Sequence, residues 1–316
     1  MQTILLGTYT RKNSEGIYQI TLDTKQEKLV DLKLIANTQN PTYLDYHEGT
    51  LYSVYQKDNE GGVAIYNYQN EETKLIEAIT EEGVQPCYVH FNPVRNEIYD
   101  SNYHRGIVNV YQDGKIKETI SYPKGAHAHY AHTHPKTNAL YTVDLGNDMI
   151  HKYENLEEVA TYKAKTGSGP RHLVFHPNAP YIYAFTEHSC EVIVLKDDKE
   201  LKEIQVIDAL DKEDEKSGAA IRITKDGKFL YVSNRGHDSI TAFKINDDYT
   251  VTKIQNISTE GEHPRDFNLD KEENFIVVAN RDTNNLTLFK RDKTTGLLTL
   301  ISSNTEAFEP VSVLFI

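Results

Sequence analysis

The hydrophobic pattern of this chain repeats. A short apolar run that ends on a polar residue recurs seven times: ILLGTY from Ile4, LYSVYQ from Leu51, IYDSNY from Ile98, LYTVDL from Leu140, IYAFTE from Ile182, LYVSNR from Leu230 and IVVANR from Ile276. The second residues of these runs, Leu5, Tyr52, Tyr99, Tyr141, Tyr183, Tyr231 and Val277, are spaced by 47, 47, 42, 42, 48 and 46 positions. Each run is followed by a polar loop and another β-branched or aromatic run, such as GIVNVYQ or EVIVLKD. Six are preceded by a further strand-like segment and a tight turn: NPTYLDYHEG, QPCYVHFNPVRN, HAHYAHTHPKTN, GPRHLVFHPNAP, SGAAIRITKDGK and HPRDFNLDKEEN. The seventh such segment is the C-terminus, EPVSVLFI, and none precedes ILLGTY.

Runs of this kind bounded by Gly, Pro, Asn and Asp are strands and turns. Roughly four strands per repeat, with a period of about 40–50 residues, predict a β-propeller. The chain is therefore expected to be all-β: a single seven-bladed domain over residues 1–316, one blade being closed by pairing of the N- and C-terminal strands. Glu200 to Lys216, rich in Lys, Asp and Glu, predicts an outer strand followed by a solvated loop.

Composition sharpens this reading. Hydrophobic residues are only 38%, but 21 Tyr and 10 Phe can build a core from amphipathic rings, so the polarity does not imply disorder. A formal net charge of −13 argues against nucleic acid and anionic membrane as partners. Cys87 and Cys190 give neither a disulfide framework nor a CxxC metal pattern. The first apolar run, Ile4 to Leu6, is too short for a signal peptide, and nothing later approaches a membrane span, so the cytoplasm is the expected compartment.

The strand order brings chemistry together. In a hairpin, the start of one strand and the end of its partner lie at the same edge. With strands A to D named from the axis outward, the loop into A and the loop out of B share one face. Aligning the repeats gives a ring of Thr42, Cys87, His129, Arg171, Ala219, Arg265 and Val311 at the start of A. A second ring, at the end of B, is Tyr9, Gln56, Tyr103, Leu145, Glu187, Arg235 and Arg281. Arg171 and Glu187, sixteen positions apart in sequence, become neighbours. Arg171, Arg235, Arg265 and Arg281 converge with one carboxylate and one imidazole, against the global charge.

A guanidinium fork suits phosphate or carboxylate. Each arginine could instead hold a loop through backbone carbonyls, and Glu187 could simply neutralise them. His129 has the side chain suited to proton transfer near neutrality, or could be a buried, hydrogen-bonded histidine. Cys87 has no adjacent base and reads as a packed residue rather than a nucleophile. In HAHYAHTHP, His127 and His129 would share one strand face and His132 and His134 the other, so a four-histidine metal site would break the strand and no metal is expected. There is no GxSxG, P-loop or GxGxxG before a helix.

GTYT with GIY, GPRHLVFHPN, FLYVSNRGHDSI, HPRDFNLD and VVANRDTNNLTLFKRD with TGLL together resemble the lactonase family of seven-bladed propellers, along the whole chain. That family contains propeller-type 6-phosphogluconolactonases and the fungal carboxymuconate lactonising enzymes. The resemblance implies hydrolysis of an anionic sugar lactone, first 6-phosphoglucono-δ-lactone of the pentose phosphate pathway, with no metal or organic cofactor. A lactonase or lactonising cyclase acting on a carboxylated substrate is the alternative, and a non-catalytic propeller scaffold the third reading. The family's catalytic residues fall on Glu187, His129, Arg171 and Arg235; in the mechanism expected here Arg171 stands at the reacting carbonyl. Arg265, Arg281, Tyr103 and His172 are the substrate-binding candidates. Relatives often carry an acidic residue where this chain has Ala220.

Overall fold

Each hydrophobic repeat folds as one antiparallel four-stranded sheet, and seven such sheets make up the described chain. The computed structural model describes residues 1–69, 72–211 and 217–316. Among them every regular element is a strand. No helix is long and apolar enough to cross a membrane. Numbering blades from the one that holds both termini, the inner strands of blades 1 to 7 are Pro310–Phe315, Leu44–His47, Tyr88–Asn92, Ala128–Thr133, Pro170–Phe175, Ser217–Ile223 and Pro264–Leu269. Each inner strand lies against the inner strand of the next blade, around a closed circle.

Closure occurs where the sequence placed it. Pro310–Phe315 pairs antiparallel with Gln2–Thr8, with Leu6 opposite Val313 and Ile4 opposite Phe315. In blade 5 the outermost strand is Leu201–Asp208. The solvated loop expected up to Lys216 falls largely on 212–216, outside the described residues.

Alternation along the strands divides the core. Among the described residues the apolar side chains form seven clusters, one in each seam between adjacent blades. Blades 5 and 6, for example, share Phe185, Val192, Val194, Ile221, Val232 and Phe243. The tyrosines expected to replace aliphatic residues do so. Tyr99, Tyr111, Tyr141, Tyr183 and Tyr231 are fully buried. Tyr231 donates its hydroxyl to Gly296 O at 2.7 Å and Tyr183 to Tyr249 O at 3.1 Å, so their polar tips are satisfied while their rings fill the seams.

Several inner strands carry an irregularity that bears on the ring. The A–B pairing shifts register at His129 in blade 4, at Arg171 in blade 5, at Arg265 in blade 7 and at Val311 in blade 1. In each case one extra residue sits opposite a single ladder step, as in a β-bulge, and a bulge re-aims a side chain away from the pleat. All four are members of the strand-A ring. These four members of the ring therefore share a backbone cause, a bulge at the same position of the inner strand.

Candidate active site

The ring residues meet at a cavity of about 430 Å³ on the face where strands A begin. It is lined by His129, Glu187, Arg235, Arg265, Tyr103 and Cys87, and by Tyr9, Arg11, Gln56 and His104 at its rim. The volume suits a small-molecule ligand.

Glu187 is the centre of the arrangement. It follows strand B of blade 5, Tyr181–Thr186, and its backbone is held from two sides. Its N–H donates to Gly169 O at 2.6 Å, and its carbonyl accepts from Gly218 N at 2.7 Å. Glycine is required at 218, because a Cβ there would come within 2.1 Å of Thr186 O. That close approach lets the inner strand of blade 6 reach Glu187.

One carboxylate oxygen takes two guanidinium groups. Arg171 Nε donates to Glu187 Oε2 at 2.9 Å, and Arg235 Nη2 lies 3.0 Å from the same atom. Oε1 has no hydrogen-bond partner among the described residues. Burial alone would raise the carboxyl pKa, but Arg171, Arg235 and Arg265 together outweigh it and hold the group below its usual 4.5. Glu187 is therefore an anion with one oxygen locked and one available.

Both arginines are fixed from behind. Arg171 is 2% exposed and donates Nη1 to Ala219 O at 2.7 Å. Burial, with repulsion from Arg235 and Arg265, lowers its pKa to about 10, which leaves it charged at neutral pH. Arg235 donates Nη2 to Ser217 Oγ at 2.7 Å and to Gly218 O at 2.5 Å. Arg235 lines the cavity, whereas Arg171 lies behind Glu187 and does not. Arg171 is thus bonded to the carboxylate and takes no part in the cavity lining, although the sequence put it at the reacting carbonyl.

His129 is 4% exposed, and its Nδ1 is buried without a hydrogen-bond partner among the described residues. Burial first, then Arg171 and Arg265, hold its pKa well below 6.5, so the imidazole is neutral. Tyr103 presents its ring edge-on to His129 at 6.1 Å and stacks on His127 at 4.2 Å. Burial pushes the Cys87 thiol up to about 12, so it stays protonated and is no nucleophile at neutral pH.

Two binding candidates stand apart. His172 touches Arg171 Nη1 at 3.4 Å but lines a second cavity, of about 320 Å³, at the other end of the inner strands. Arg281 donates Nε and Nη2 to the two oxygens of Asp282 at 2.6 and 2.9 Å and lines a smaller neighbouring cavity of about 180 Å³. The four histidines of HAHYAHTHP also separate. His127 bonds Tyr103 O, His132 bonds Tyr88 and stacks on His90, and His134 caps the N–H groups of Lys136 and Thr137. No group of three potential metal ligands occurs among the described residues. Ala220 is fully buried in the apolar seam between blades 6 and 7, with Tyr231, Ala242 and Phe267. Arg11 had no place in either ring, because it lies on the loop beyond strand B of blade 1.

Known proteins share this architecture. A family model described as lactonase, 7-bladed beta-propeller, matches residues 3–315. The 6-phosphogluconolactonase of Bacillus subtilis is 39% identical, the match covering 98% of this chain and 97% of that protein. An uncharacterised protein of Lactococcus lactis is also 39% identical, over 99% of both chains. A crystal structure of a Lactobacillus plantarum protein superposes with a TM-score of 0.96 at 38% identity, covering 100% of this chain and 99% of that one. A match along nearly the whole chain, on a fold built blade by blade as the repeats require, makes this protein a member of the lactonase family of seven-bladed β-propellers.

Proposed function

We propose that the cavity hydrolyses an anionic sugar lactone, 6-phosphoglucono-δ-lactone, to the open acid. The observation that carries this reading is Glu187, which lines the cavity with Oε2 clamped by two guanidinium groups and Oε1 unpartnered among the described residues. A scaffold that only bound proteins would have no use for an anionic side chain pinned in this way beneath an excess of arginine. The relative named 6-phosphogluconolactonase supports the substrate class.

Water bonded to Oε1 attacks the lactone carbonyl carbon and gives its proton to Glu187. The tetrahedral oxyanion is met by Arg235, whose Nη1 has no partner among the described residues. Fixed cationic donors of this kind stabilise such an intermediate by about 3–4 kcal/mol. As the ring C–O bond breaks, Glu187 returns the proton to the departing ring oxygen. Neutral His129 can hydrogen-bond water or the carbonyl without adding a positive charge. The step uses side chains alone. We place the enzyme in the cytoplasm, where a phosphorylated sugar is retained.

A panel of lactones tests the reading. kcat/KM for the 6-phosphorylated δ-lactone should exceed that for glucono-δ-lactone by at least about 100-fold, since a dianion can engage two guanidinium forks and a neutral substrate none. Added salt should narrow the gap as exposed charge is screened. Equal rates on the two lactones would defeat the phosphate assignment. A larger kcat/KM on a carboxylated lactone would move the substrate to that class.

The pH profile tests the role of Glu187. A carboxyl whose pKa is lowered stays ionised further down the pH scale, so its base form is lost only as pH falls through the lowered value. With glucono-δ-lactone, kcat/KM should be flat from about pH 7 to pH 5 and decline below the ordinary carboxyl value of 4.5. The unphosphorylated substrate is the right probe, because a phosphate monoester itself titrates near pH ~6. A break well above 4.5 would remove Glu187 from the base role.

A further inference from the structure

We infer that Arg11 is a specificity-determining residue which, with Arg265, forms the seat for the substrate's phosphate around the ring of Tyr9. This rests on the lactonase reading above and names the part of the cavity that selects the phosphorylated ester.

An anion needs guanidinium N–H groups that are not already spent. Arg235 gives Nε and Nη2 to Ser217, Gly218 and Glu187, and its remaining Nη1 is the group that meets the oxyanion. Arg281 is matched by both oxygens of Asp282 and touches His263 Nδ1 at 3.3 Å. The side chains of Arg11 and Arg265 differ. Neither makes a hydrogen bond or an ion pair with any described residue, and both line the 430 Å³ cavity. What they share is Tyr9, with the Arg11 guanidinium carbon 4.0 Å from the ring centroid and that of Arg265 at 5.5 Å. A phenol face attracts each cation but cannot cancel the repulsion between them. A phosphate dianion between them would, through charge-assisted forks.

The loop that carries Arg11 is built to hold it there. The N–H groups of Arg11 and Lys12 both donate to Glu309 Oε2, at 3.0 and 2.7 Å. Tyr9 N donates to Glu309 O at 3.1 Å. Thr10 and Asn40 exchange two bonds, Thr10 N to Asn40 Oδ1 at 3.1 Å and Asn40 N to Thr10 Oγ1 at 3.2 Å. Glu309, 6% exposed, thus spends its charge on backbone amides and not on the guanidinium beside it. The backbone is fixed and the cation left unpaired, the arrangement that lowers the entropic cost of binding an anion.

The experiment titrates inorganic phosphate into wild type, Arg11→Gln, Tyr9→Phe and Tyr9→Leu by calorimetry, and measures kcat/KM for both lactones. Arg11 is exposed and its side chain holds nothing else, so Arg11→Gln should keep the fold. We expect Arg11→Gln to weaken phosphate binding, and to reduce the ratio of kcat/KM between phosphorylated and unphosphorylated lactone, by about 10–50-fold, as for loss of a charge-assisted bond. Tyr9→Phe should retain the ratio, because the aromatic face remains, and Tyr9→Leu should lower it. Phosphate affinity and ratio within twofold of wild type in Arg11→Gln would overturn the inference. So would an equal loss on both lactones. If wild type hydrolyses neither lactone, the lactonase reading falls, while the phosphate titration of wild type against Arg11→Gln still decides the role of Arg11.

Discussion

A chain lacking Glu309 to Ile316 should not fold. The deletion removes the inner strand of blade 1, Pro310–Phe315, and with it the ladder from Ile4–Phe315 to Thr8–Pro310. Val313 packs in the seam shared with blade 7, against Ile4, Leu6, Val277 and Leu288, while Leu314 and Ile316 pack in the seam shared with blade 2. Burying these side chains is worth on the order of 5–10 kcal/mol, comparable to the net stability of a domain. Polar partners are lost too. Val313 N donates to Asp266 Oδ2 at 2.9 Å, and Asn268 Nδ2 donates to Val313 O at 3.1 Å. The truncation would also expose Gln2–Thr8 as a hydrophobic edge strand, an invitation to aggregate. The expected product is insoluble, or lacks a cooperative thermal transition by circular dichroism. A soluble truncation that melts cooperatively near the wild-type temperature would show that blade 1 closes by other means.

Much of this architecture was legible because its signals are periodic. Seven spaced runs gave the blades, and the missing first segment with the unmatched last one gave the closure. The ring at the start of strand A was legible by alignment alone, although its physical cause, the bulge at His129, Arg171, Arg265 and Val311, leaves no mark in composition. Direction was harder to read than position. Arg171 and His172 are consecutive on one strand, yet one turns behind Glu187 and the other toward the opposite cavity. Arg281 is followed by Asp282, and that neighbour was the available sign that its charge is already matched. Arg11 escaped the ring alignment because a loop, not a strand, presents it. Its signal was weak: a cation two residues beyond a ring tyrosine, in a loop whose tie to Glu309 spans 298 positions of sequence.

Replacing Glu187 with glutamine should lower kcat on either lactone by about 1,000-fold, within the range for a lost acid–base group. The shape is kept, but the free oxygen no longer takes a proton from water. The change also leaves Arg171, Arg235 and Arg265 without the carboxylate they face. Circular dichroism should show the fold intact, since Glu187 sits at the cavity and not in a seam. Arg171→Met separates the carboxylate's own role from that of its support. Burial is preserved by the thioether chain, while Glu187 loses the largest of the charges that hold its pKa down. Its pKa should then rise, and the acid limb of kcat/KM should move to higher pH on both lactones, with a kcat loss smaller than that of Glu187→Gln. A purely structural Arg171 would lower stability without moving that limb. Turnover by Glu187→Gln within a fewfold of wild type would remove the carboxylate from the chemistry, and an unmoved acid limb in Arg171→Met would remove the arginine from its control.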